Sequence, residues 1–376
     1  MTWALEDATH PLARLLTAAI ETDAARWAMA TSWWLQPTVA EPLLRAHALG
    51  ARVDVAHRKW PAVQALQAAF AATPTAPSHR VPRVRHAHGA LARGEELAPS
   101  TVVLTVPEER VALQQLLLDA LSCAPVGARV WLAGANDAGA KPAARLLGSL
   151  CPDTRVLAQG GGHRLVEAVV PDGLDLGPLR ALVAPYDDPA VFRELPVTLG
   201  GVAETLWTRP GVFSWDHLDE ATALLASHLD VRTDDRVLDL GCGAGALALA
   251  AWRAEPTAHL TLVDADSEAL RCAARTLADV PAAQWRVLAS DAGRAVAGES
   301  FDLVLSNPPF HAGKRVDLAL PRQFLDDAWS VLRPGGRLRL VANRTLPYEA
   351  ELAHRFGGWR VVHDGPRFKI LEALRS

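Results

Sequence analysis

The chain has 376 residues, of which 50% are hydrophobic and 21% are charged, and its formal net charge is −4. This length suffices for two domains that each bury a core, and the composition is that of an ordinary soluble globular protein. The negative net charge argues against a protein that coats naked nucleic acid. No apolar run approaches the roughly 18 residues of a membrane span, so no membrane partner is predicted.

The start of the chain and its cysteines favour a cytoplasmic location. Glu6 and Asp7 lie where a signal peptide would need a basic and then an apolar segment, so we predict none. The four cysteines are scattered without paired or metal-like spacing. This pattern predicts thiols in a reducing compartment and no metal site.

The basic residues are unevenly distributed. Residues 55–94 contain six Lys or Arg and no acid, and the residues after Asn307 contain twelve Lys or Arg against seven Asp or Glu. Two basic regions in an otherwise acidic chain favour a specific anionic partner. Solvated surface arginines would explain either region taken alone.

The N-terminal half is predicted to be an α/β domain, with a strand over residues 101–106, a helix over residues 108–121 and a strand that begins at Arg129. When residues 129–134 are aligned with residues 236–241, both segments begin Arg-Val and end in Gly. Nothing like the later Asn-Pro-Pro-Phe segment follows in this half. We predict a duplicated domain that lacks the chemistry, with coincidence between two α/β domains as the alternative.

A segment rich in proline and glycine lies between the halves. Five prolines and four glycines fall within residues 171–201, where the apolar pattern is weak. We therefore predict a linker over residues 171 to about 200.

Strands and helices alternate through the C-terminal half. We predict strands over residues 236–240, 259–263, 285–288, 301–306 and 337–342. We predict helices over residues 244–253, 267–278 and 321–332, the second of them capped by Ser267. Such alternation is typical of an α/β fold with a doubly wound, mostly parallel sheet, in which ligands bind at the carboxyl ends of the strands.

A glycine-rich turn follows the first of these strands. Gly241, Gly243 and Gly245 let the backbone approach a ligand, and the next helix offers unpaired N–H groups to an anion. This spacing also fits a dinucleotide fingerprint, which leaves a nicotinamide oxidoreductase as an alternative. Asp239 would repel a pyrophosphate. It suits a ligand that carries an ammonium group beside a carboxylate, such as the methionine portion of S-adenosylmethionine.

Two further aspartates follow neighbouring strands. Asp264 is placed to accept hydrogen bonds from both ribose hydroxyls, and Asp291 to accept one from an adenine amine. Either could be a turn residue, but three acids at successive strand ends favour one shared ligand. The predicted contacts of S-adenosylmethionine are Asp239, Gly241, Cys242, Gly243, Asp264, Ala265, Ser290, Asp291 and Asn307.

The segment Asn307, Pro308, Pro309 and Phe310 follows the fourth strand and supplies the predicted catalytic residues. Methyl transfer from a sulfonium depends mainly on positioning, which can be worth about 7–11 kcal/mol of barrier. If Asn307 Oδ1 and the Pro308 carbonyl accept hydrogen bonds from one exocyclic amine, its lone pair can point at the methyl group. The prolines fix an extended turn, and Phe310 offers a face on which a flipped base can stack.

Five segments carry a family resemblance: residues 210–214, 237–245, 306–311, 341–348 and 367–369. Together they resemble the RsmC/RlmG-type ribosomal RNA guanine-N2 methyltransferases. The resemblance implies methylation of the exocyclic N2 amine of a guanine in ribosomal RNA, with S-adenosylmethionine as the donor. The tail around Tyr348 is similar to the small-subunit type and favours 16S rRNA, whereas residues 343–344 are similar to the large-subunit type and leave 23S rRNA as the alternative.

The resemblance also implies two tandem Rossmann-like class I methyltransferase domains with seven-stranded sheets. Residues 1–185 would be the degenerate copy, without a cofactor site, that supports the fold and RNA binding, and residues 186–376 the catalytic domain. The implied partner is ribosomal RNA in an assembled or assembling small subunit, bound by a monomer. The predicted RNA contacts are Phe213, His311, Lys314, Arg315, Arg344, Arg367 and Lys369.

Other functions stay open on the residues alone. Adenine N6 and protein glutamine methyltransferases use the same Asn-Pro-Pro arrangement, usually with Tyr in the place of Phe310. A non-catalytic RNA-binding module would leave the acceptor motif without a role. The degenerate copy and the basic tail favour RNA as the substrate.

Overall fold

The computed structural model of the protein describes residues 5–73, 80–87, 98–107, 109–309 and 319–376. The chain divides into two compact units between Val191 and Phe192. The boundary predicted from the sequence, after residue 185, lies a few residues earlier. The N-terminal unit ends at Val191, and the C-terminal unit begins at Phe192.

In the N-terminal unit, the described strands form one seven-stranded sheet. The strands are β1 (Thr31–Leu35), β2 (Arg52–His57), β3 (Arg83–His86), β4 (Thr101–Thr105), β5 (Arg129–Ala135), β6 (Thr154–Gly160) and β7 (His163–Val169). The helices are α1 (Pro11–Thr22), α2 (Ala24–Trp27), α3 (Glu41–Ala48), α4 (Trp60–Ala72), α5 (Arg110–Cys123), α6 (Ala140–Leu150) and α7 (Gly177–Val183). The strand order across the sheet is β3-β2-β1-β4-β5-β7-β6.

The C-terminal unit begins with an antiparallel hairpin and continues into a second sheet, which has seven strands in the described part of the chain. The strands are β8 (Arg193–Leu199), β9 (Val202–Thr208), β10 (Arg236–Leu240), β11 (His259–Asp264), β12 (Trp285–Ala289), β13 (Phe301–Ser306), β14 (Leu332–Asn343), β15 (Gly358–Asp364) and β16 (Phe368–Leu374). The helices are α8 (Glu220–Ala226), α9 (Ala246–Ala254), α10 (Ser267–Thr276), α11 (Ala319–Val331) and α12 (Tyr348–Arg355). The sheet order is β12-β11-β10-β13-β14-β16-β15.

Both sheets follow the same plan. Five neighbouring strands run parallel, and the last two pair antiparallel. The predicted fold class, an α/β chain with two tandem, mostly parallel, seven-stranded sheets, is confirmed. The predicted strands and helices of the C-terminal half are also present. One detail differs, because Asp266 rather than Ser267 caps α10 by accepting the N–H of Glu268 at 2.9 Å.

The shared strand order corrects the alignment between the halves. β1 lies between β2 and β4 as β10 lies between β11 and β13, so β1 is the counterpart of β10. β5 joins the parallel strands to the antiparallel pair, as β14 does. The predicted match of residues 129–134 with residues 236–241 is therefore wrong. A short apolar strand followed by glycine occurs at both places, and the sequence does not reveal strand order.

A pair of charged residues supports the corrected correspondence. Glu167 on β7 accepts a hydrogen bond from Arg155 on β6, and Glu372 on β16 accepts one from Arg360 on β15, at 2.8 Å in both cases. In each pair the arginine lies directly opposite the acid across the two strands. The same acid–arginine pair therefore occupies the same place in both sheets.

The predicted linker is wrong at two segments that form regular structure. Residues 177–183 form α7, whose Leu179 and Val183 are buried in the core of the N-terminal unit. Residues 193–199 form β8, the first strand of the hairpin. Pro178 stands in the first turn of α7, where a missing N–H costs nothing. Pro178, one of the prolines on which the linker prediction rested, therefore stands where a helix tolerates it.

No helix in the described parts of the chain combines the length and the apolar character needed to cross a bilayer.

Candidate active site

The site lies where β10 and β13 end. These strands are parallel neighbours, with Asp239 opposite Leu305, so their carboxyl ends meet at one edge of the sheet. The hydroxyl of Ser306 donates a hydrogen bond to the carbonyl of Leu240 at 2.7 Å and ties the two ends together. The glycine turn and the segment that begins at Asn307 are therefore adjacent.

The glycine turn contacts protein at both ends and is open in its middle. Gly241, Gly243 and Gly245 all have positive φ, at 79°, 53° and 83°. A Cβ on Gly241 would lie 3.1 Å from the ring of Phe324, and one on Gly245 would lie 3.3 Å from Cα of Ala273. A Cβ on Gly243 would meet nothing within 4 Å among the described atoms. The middle of the turn therefore offers bare backbone to a ligand.

Asp239 is a buried carboxylate with unused accepting capacity. Its side chain lies on the face of the sheet that α9 covers, and Oδ2 accepts the N–H of Ala248 at 3.0 Å. Oδ1 is buried and has no hydrogen-bond partner among the described residues. Burial raises the pKa of Asp239 to about 7, the Ala248 N–H opposes that rise, and the charge of Asp264 adds to it. An ammonium group would satisfy both the oxygen and the charge.

Asp264 braces the glycine turn. Its Oδ2 accepts the N–H of Gly243 at 2.9 Å, and its Oδ1 accepts the N–H of Asp266 at 2.8 Å. The predicted ribose contact of Asp264 would therefore use a carboxylate whose position is already fixed. Ala265, the next predicted cofactor contact, follows it directly in the chain. Cys242 is buried in the same turn, and burial first, then the charge of Asp264, raises the pKa of its thiol, which stays neutral.

Asp291 and Ser290 follow β12 at the same edge. Asp291 accepts a hydrogen bond from Gln323 Nε2 at 3.0 Å and pairs with Arg294 at 2.7 Å. Ser290 is fully buried, and its hydroxyl oxygen accepts the N–H of Ala295 at 3.0 Å. Both residues are held firmly, but their polar groups are engaged within the protein, so the predicted adenine contact stays a prediction.

Asn307 is held through its amide nitrogen. Nδ2 donates to Asp219 Oδ2 and to Thr222 Oγ1, both at 2.9 Å. Oδ1 is buried and has no hydrogen-bond partner in the described part of the chain. The next residue, Pro308, is buried, Pro309 is exposed, and the predicted catalytic Phe310 lies outside the described residues. One buried acceptor oxygen without a described partner thus lies beside the glycine turn.

An aromatic side chain stands at the mouth of the site. Phe213 is 68% exposed, while the preceding Val212 is buried in a small cluster against α10. Phe213 lies in the loop between Thr208 and Trp215, which is closed by a hydrogen bond of 2.6 Å from the Thr208 hydroxyl to the Trp215 carbonyl. A cleft at this edge is lined by Phe213, His217, Asp219, Gly241, Gly243 and Asn307.

The predicted RNA contacts have different surroundings. Arg344 and Arg367 are exposed at 50% and 68%, each beside an acidic partner. The ammonium of Lys369 is buried, where it donates to the Leu346 carbonyl at 2.8 Å and pairs with Glu349. The structure therefore contradicts the predicted RNA contact of Lys369, which holds α12 against β16 instead. His311, Lys314 and Arg315 lie outside the described residues.

Sequence reasoning missed Asp219 and Thr222. An aspartate directly before an apolar run, with Glu220 in the first turn, signals a helix start, and Asp219 does cap α8. Nothing in that signal connects the cap with Asn307, which lies 88 residues further along the chain. Among the described residues, no group of three or more His, Cys, Asp or Glu could hold a metal ion.

Comparison with known proteins decides the family. Residues 203–372 match the family model of the Methyltransferase small domain. Proteins named "Ribosomal RNA small subunit methyltransferase C" from Escherichia coli O9:H4 (strain HS) and E. coli (strain K12 / DH10B) are 34% identical over 276 residues, which is 73% of this chain and 76% of theirs. The chain belongs to the ribosomal RNA small subunit methyltransferase C family.

A solved structure from this family covers both units. It is the T. thermophilus 16S rRNA N2 methyltransferase (RsmC) in complex with AdoMet and guanosine, with 26% identity and a TM-score of 0.78. The match covers 98% of this chain and 92% of that one. Membership of the family confirms the predicted enzyme class, a methyltransferase. The predicted cofactor agrees with the AdoMet bound in the T. thermophilus structure.

Proposed function

We propose that this protein transfers a methyl group from S-adenosylmethionine to the exocyclic N2 amine of a guanine in 16S ribosomal RNA, within an assembled or assembling small subunit. The observation that carries the proposal is the buried, unpartnered Oδ1 of Asn307 in the same cleft as the open glycine turn. A relative of the same family binds AdoMet and guanosine together, which is the donor and the acceptor that such a cleft requires.

The residues around the glycine turn fit the proposed donor. When bound, S-adenosylmethionine supplies a methyl group on a positively charged sulfur, with a neutral thioether as leaving group. Asp239 Oδ1 would accept a hydrogen bond from its ammonium group, and the backbone at Gly243 would receive the methionine portion. Asp264, fixed on the turn, is the proposed ribose acceptor.

The residues after β13 fit an amine acceptor. Guanine N2 is a poor nucleophile because its lone pair is delocalised into the ring. Asn307 Oδ1 and the Pro308 carbonyl would each accept one N–H, which turns the lone pair toward the methyl group. The bond from nitrogen to methyl forms as the bond from sulfur to methyl breaks, and the extra proton on nitrogen then leaves to solvent. Two neutral acceptors are enough, because the donor is already activated.

The guanine has to leave its helix to reach this cleft. Phe213, exposed at the mouth, is the proposed face on which the extruded base stacks, at about 1–3 kcal/mol per base. Arg344 and Arg367 are the proposed phosphate contacts of the C-terminal unit. The N-terminal unit is proposed to lack a donor site and to support folding and RNA binding in a monomeric enzyme.

Methyl-transfer assays with separate substrates test this function. The protein is incubated with methyl-labelled donor and with purified small subunits, large subunits or deproteinised ribosomal RNA, and the labelled nucleoside is identified by digestion and chromatography. We expect label in N2-methylguanosine from small subunits. Label in adenosine, in protein or in large subunits only would contradict the proposal.

A further inference from the structure

One carboxylate links a helix cap to the proposed acceptor group. Asp219 Oδ2 accepts the N–H of Thr222 at 2.8 Å, the hydroxyl of Thr222 at 3.1 Å and Nδ2 of Asn307 at 2.9 Å. The Thr222 hydroxyl oxygen in turn accepts from Asn307 Nδ2 at 2.9 Å. The amide of Asn307 therefore donates both of its N–H bonds into a single capping motif.

This arrangement permits one orientation of the Asn307 amide. An ionised carboxylate can only accept hydrogen bonds, and the single hydroxyl hydrogen of Thr222 is directed at Asp219. If the amide were turned over, its carbonyl oxygen would face the carboxylate without a hydrogen between them. Asp219 and Thr222 together hold Oδ1 on the opposite side, where it has no hydrogen-bond partner among the described residues.

The same contacts change the charge of the acceptor oxygen. A hydrogen bond from an amide N–H to a carboxylate polarises the amide, which makes its oxygen a stronger acceptor. The amine nitrogen gains positive charge as the methyl group is transferred. A more negative Oδ1 therefore stabilises the transition state more than the bound amine, which is the condition for a faster chemical step.

We infer that Asp219, with Thr222, is a positioning residue that fixes the orientation of the Asn307 amide and strengthens its oxygen as an acceptor for the substrate amine. The inference rests on the proposed function, since it assigns Asp219 a role in the same reaction. Asp219 touches no reacting atom. Its effect is expected to pass through Asn307 alone.

Asp219→Asn tests the role of the carboxylate without removing the helix cap, because asparagine caps helices as well as aspartate. We expect kcat for methylation of small subunits to fall about 10- to 100-fold. The KM for the subunits, the affinity for S-adenosylhomocysteine and the melting temperature should stay near those of the unmodified protein. Asp279→Asn, the same change at an exposed aspartate that does not line the cleft, is the matched control and should leave kcat unchanged.

The hydroxyl of Thr222 is tested by a pair of variants. Thr222→Val removes the hydroxyl at nearly constant volume and should lower kcat, whereas Thr222→Ser keeps it and should restore most of the rate. A loss in Thr222→Ser as large as that in Thr222→Val would contradict a role for the hydroxyl.

A double variant separates positioning from general destabilisation. If Asp219 acts through Asn307, then Asp219→Asn combined with Asn307→Ala is no slower in single-turnover methylation than Asn307→Ala alone. Losses that multiply would overturn the inference, as would an unchanged kcat in Asp219→Asn. If the unmodified protein does not methylate guanine in the same assay, the proposed function fails instead, so the two failures are distinguishable.

Discussion

At the scale of single residues, the site depends on polar atoms that lack partners. The unpartnered oxygens belong to Asp239 on β10 and to Asn307 directly after the neighbouring β13. The sequence indicated both residues because the carboxyl ends of parallel strands meet. It did not indicate Asp219 and Thr222, whose contacts with Asn307 span more than 80 residues. It was wrong for Lys369, because the buried partners of a lysine cannot be read from its neighbours in sequence.

Asp239 predicts a pH dependence of cofactor binding. Its pKa is about 7 in the folded protein, against 3.8 for an unperturbed Asp, so the carboxyl is protonated in a growing fraction of molecules below pH 7. An ammonium ligand needs the ionised form. We expect the affinity for S-adenosylhomocysteine to fall by up to about tenfold for each pH unit below 7. Calorimetric titration across this range measures the effect.

The control for this prediction is Asp239→Asn, which keeps an acceptor for Ala248 but cannot ionise. Its affinity should be lower and nearly independent of pH in the same range. Ionisation of Asp239 favours ligand binding but lowers the stability of the ligand-free protein. Because the folded pKa is raised, this group's contribution to the stability of the ligand-free protein is complete below pH 3.8 and is lost as the pH rises to about 7. An affinity that is flat across pH 7 in the unmodified protein would contradict the role of Asp239.

At the scale of elements, the apolar strands and amphipathic helices of the C-terminal unit were predictable, because periodic burial shows in the sequence. The β8–β9 hairpin and α7 were not, because their prolines and glycines are also typical of linkers. The glycine turn was predicted as a whole. Only the structure shows that a side chain at Gly241 or Gly245 would crowd protein atoms, whereas one at Gly243 would enter open space.

Alanine substitutions in this turn should separate binding from stability. Both Gly243→Ala and Gly245→Ala impose a side chain at positive φ, which costs about 1–2 kcal/mol of unfolding free energy. Gly245→Ala should cost about 1–3 kcal/mol more, because its Cβ would crowd Ala273 on α10. Gly243→Ala should instead weaken S-adenosylhomocysteine binding more strongly. Urea denaturation and calorimetric titration test both, and equal effects of the two variants would contradict this division.

The antiparallel end of the second sheet depends on a buried ion pair. Glu372 pairs with Arg339, and the two side chains are only 5% and 4% exposed. Glu372→Gln should lower the free energy of unfolding by about 3–5 kcal/mol, because it leaves the Arg339 charge buried without its main partner. Arg360→Gln is the matched control. It removes a 67% exposed partner of the same acid and should cost about 0–1 kcal/mol. Similar losses in the two variants would be inconsistent with this account.

At the scale of the whole molecule, the two units share one strand order but differ in the residues at the ends of their strands. The residues that line the cleft all belong to the C-terminal unit. That both halves form an α/β domain was predictable from the repeated α/β pattern, but the correspondence of strands was not, since it depends on sheet order. In the N-terminal unit, β1 occupies the position that β10 has in the C-terminal unit, and no glycine-rich turn follows β1.

A fragment of residues 192–376 tests the proposed role of the N-terminal unit. We expect it to be poorly soluble or inactive on small subunits. Methylation should fall at least about tenfold, because the fragment lacks the RNA-binding surface proposed for the N-terminal unit. Methylation is compared with that of the full chain at equal concentration. A fragment as active as the full chain would contradict a role for the N-terminal unit in folding or in holding RNA.

The most direct test of the central claim is the Asn307→Ala variant, assayed for methylation of small subunits and for binding of S-adenosylhomocysteine. If Oδ1 of Asn307 accepts a hydrogen bond from the guanine amine, turnover falls by at least about a hundredfold in this variant. The affinity for S-adenosylhomocysteine then stays within a few fold of that of the unmodified protein. If both fall together, Asn307 supports the fold of the site rather than the reaction, and the account is wrong.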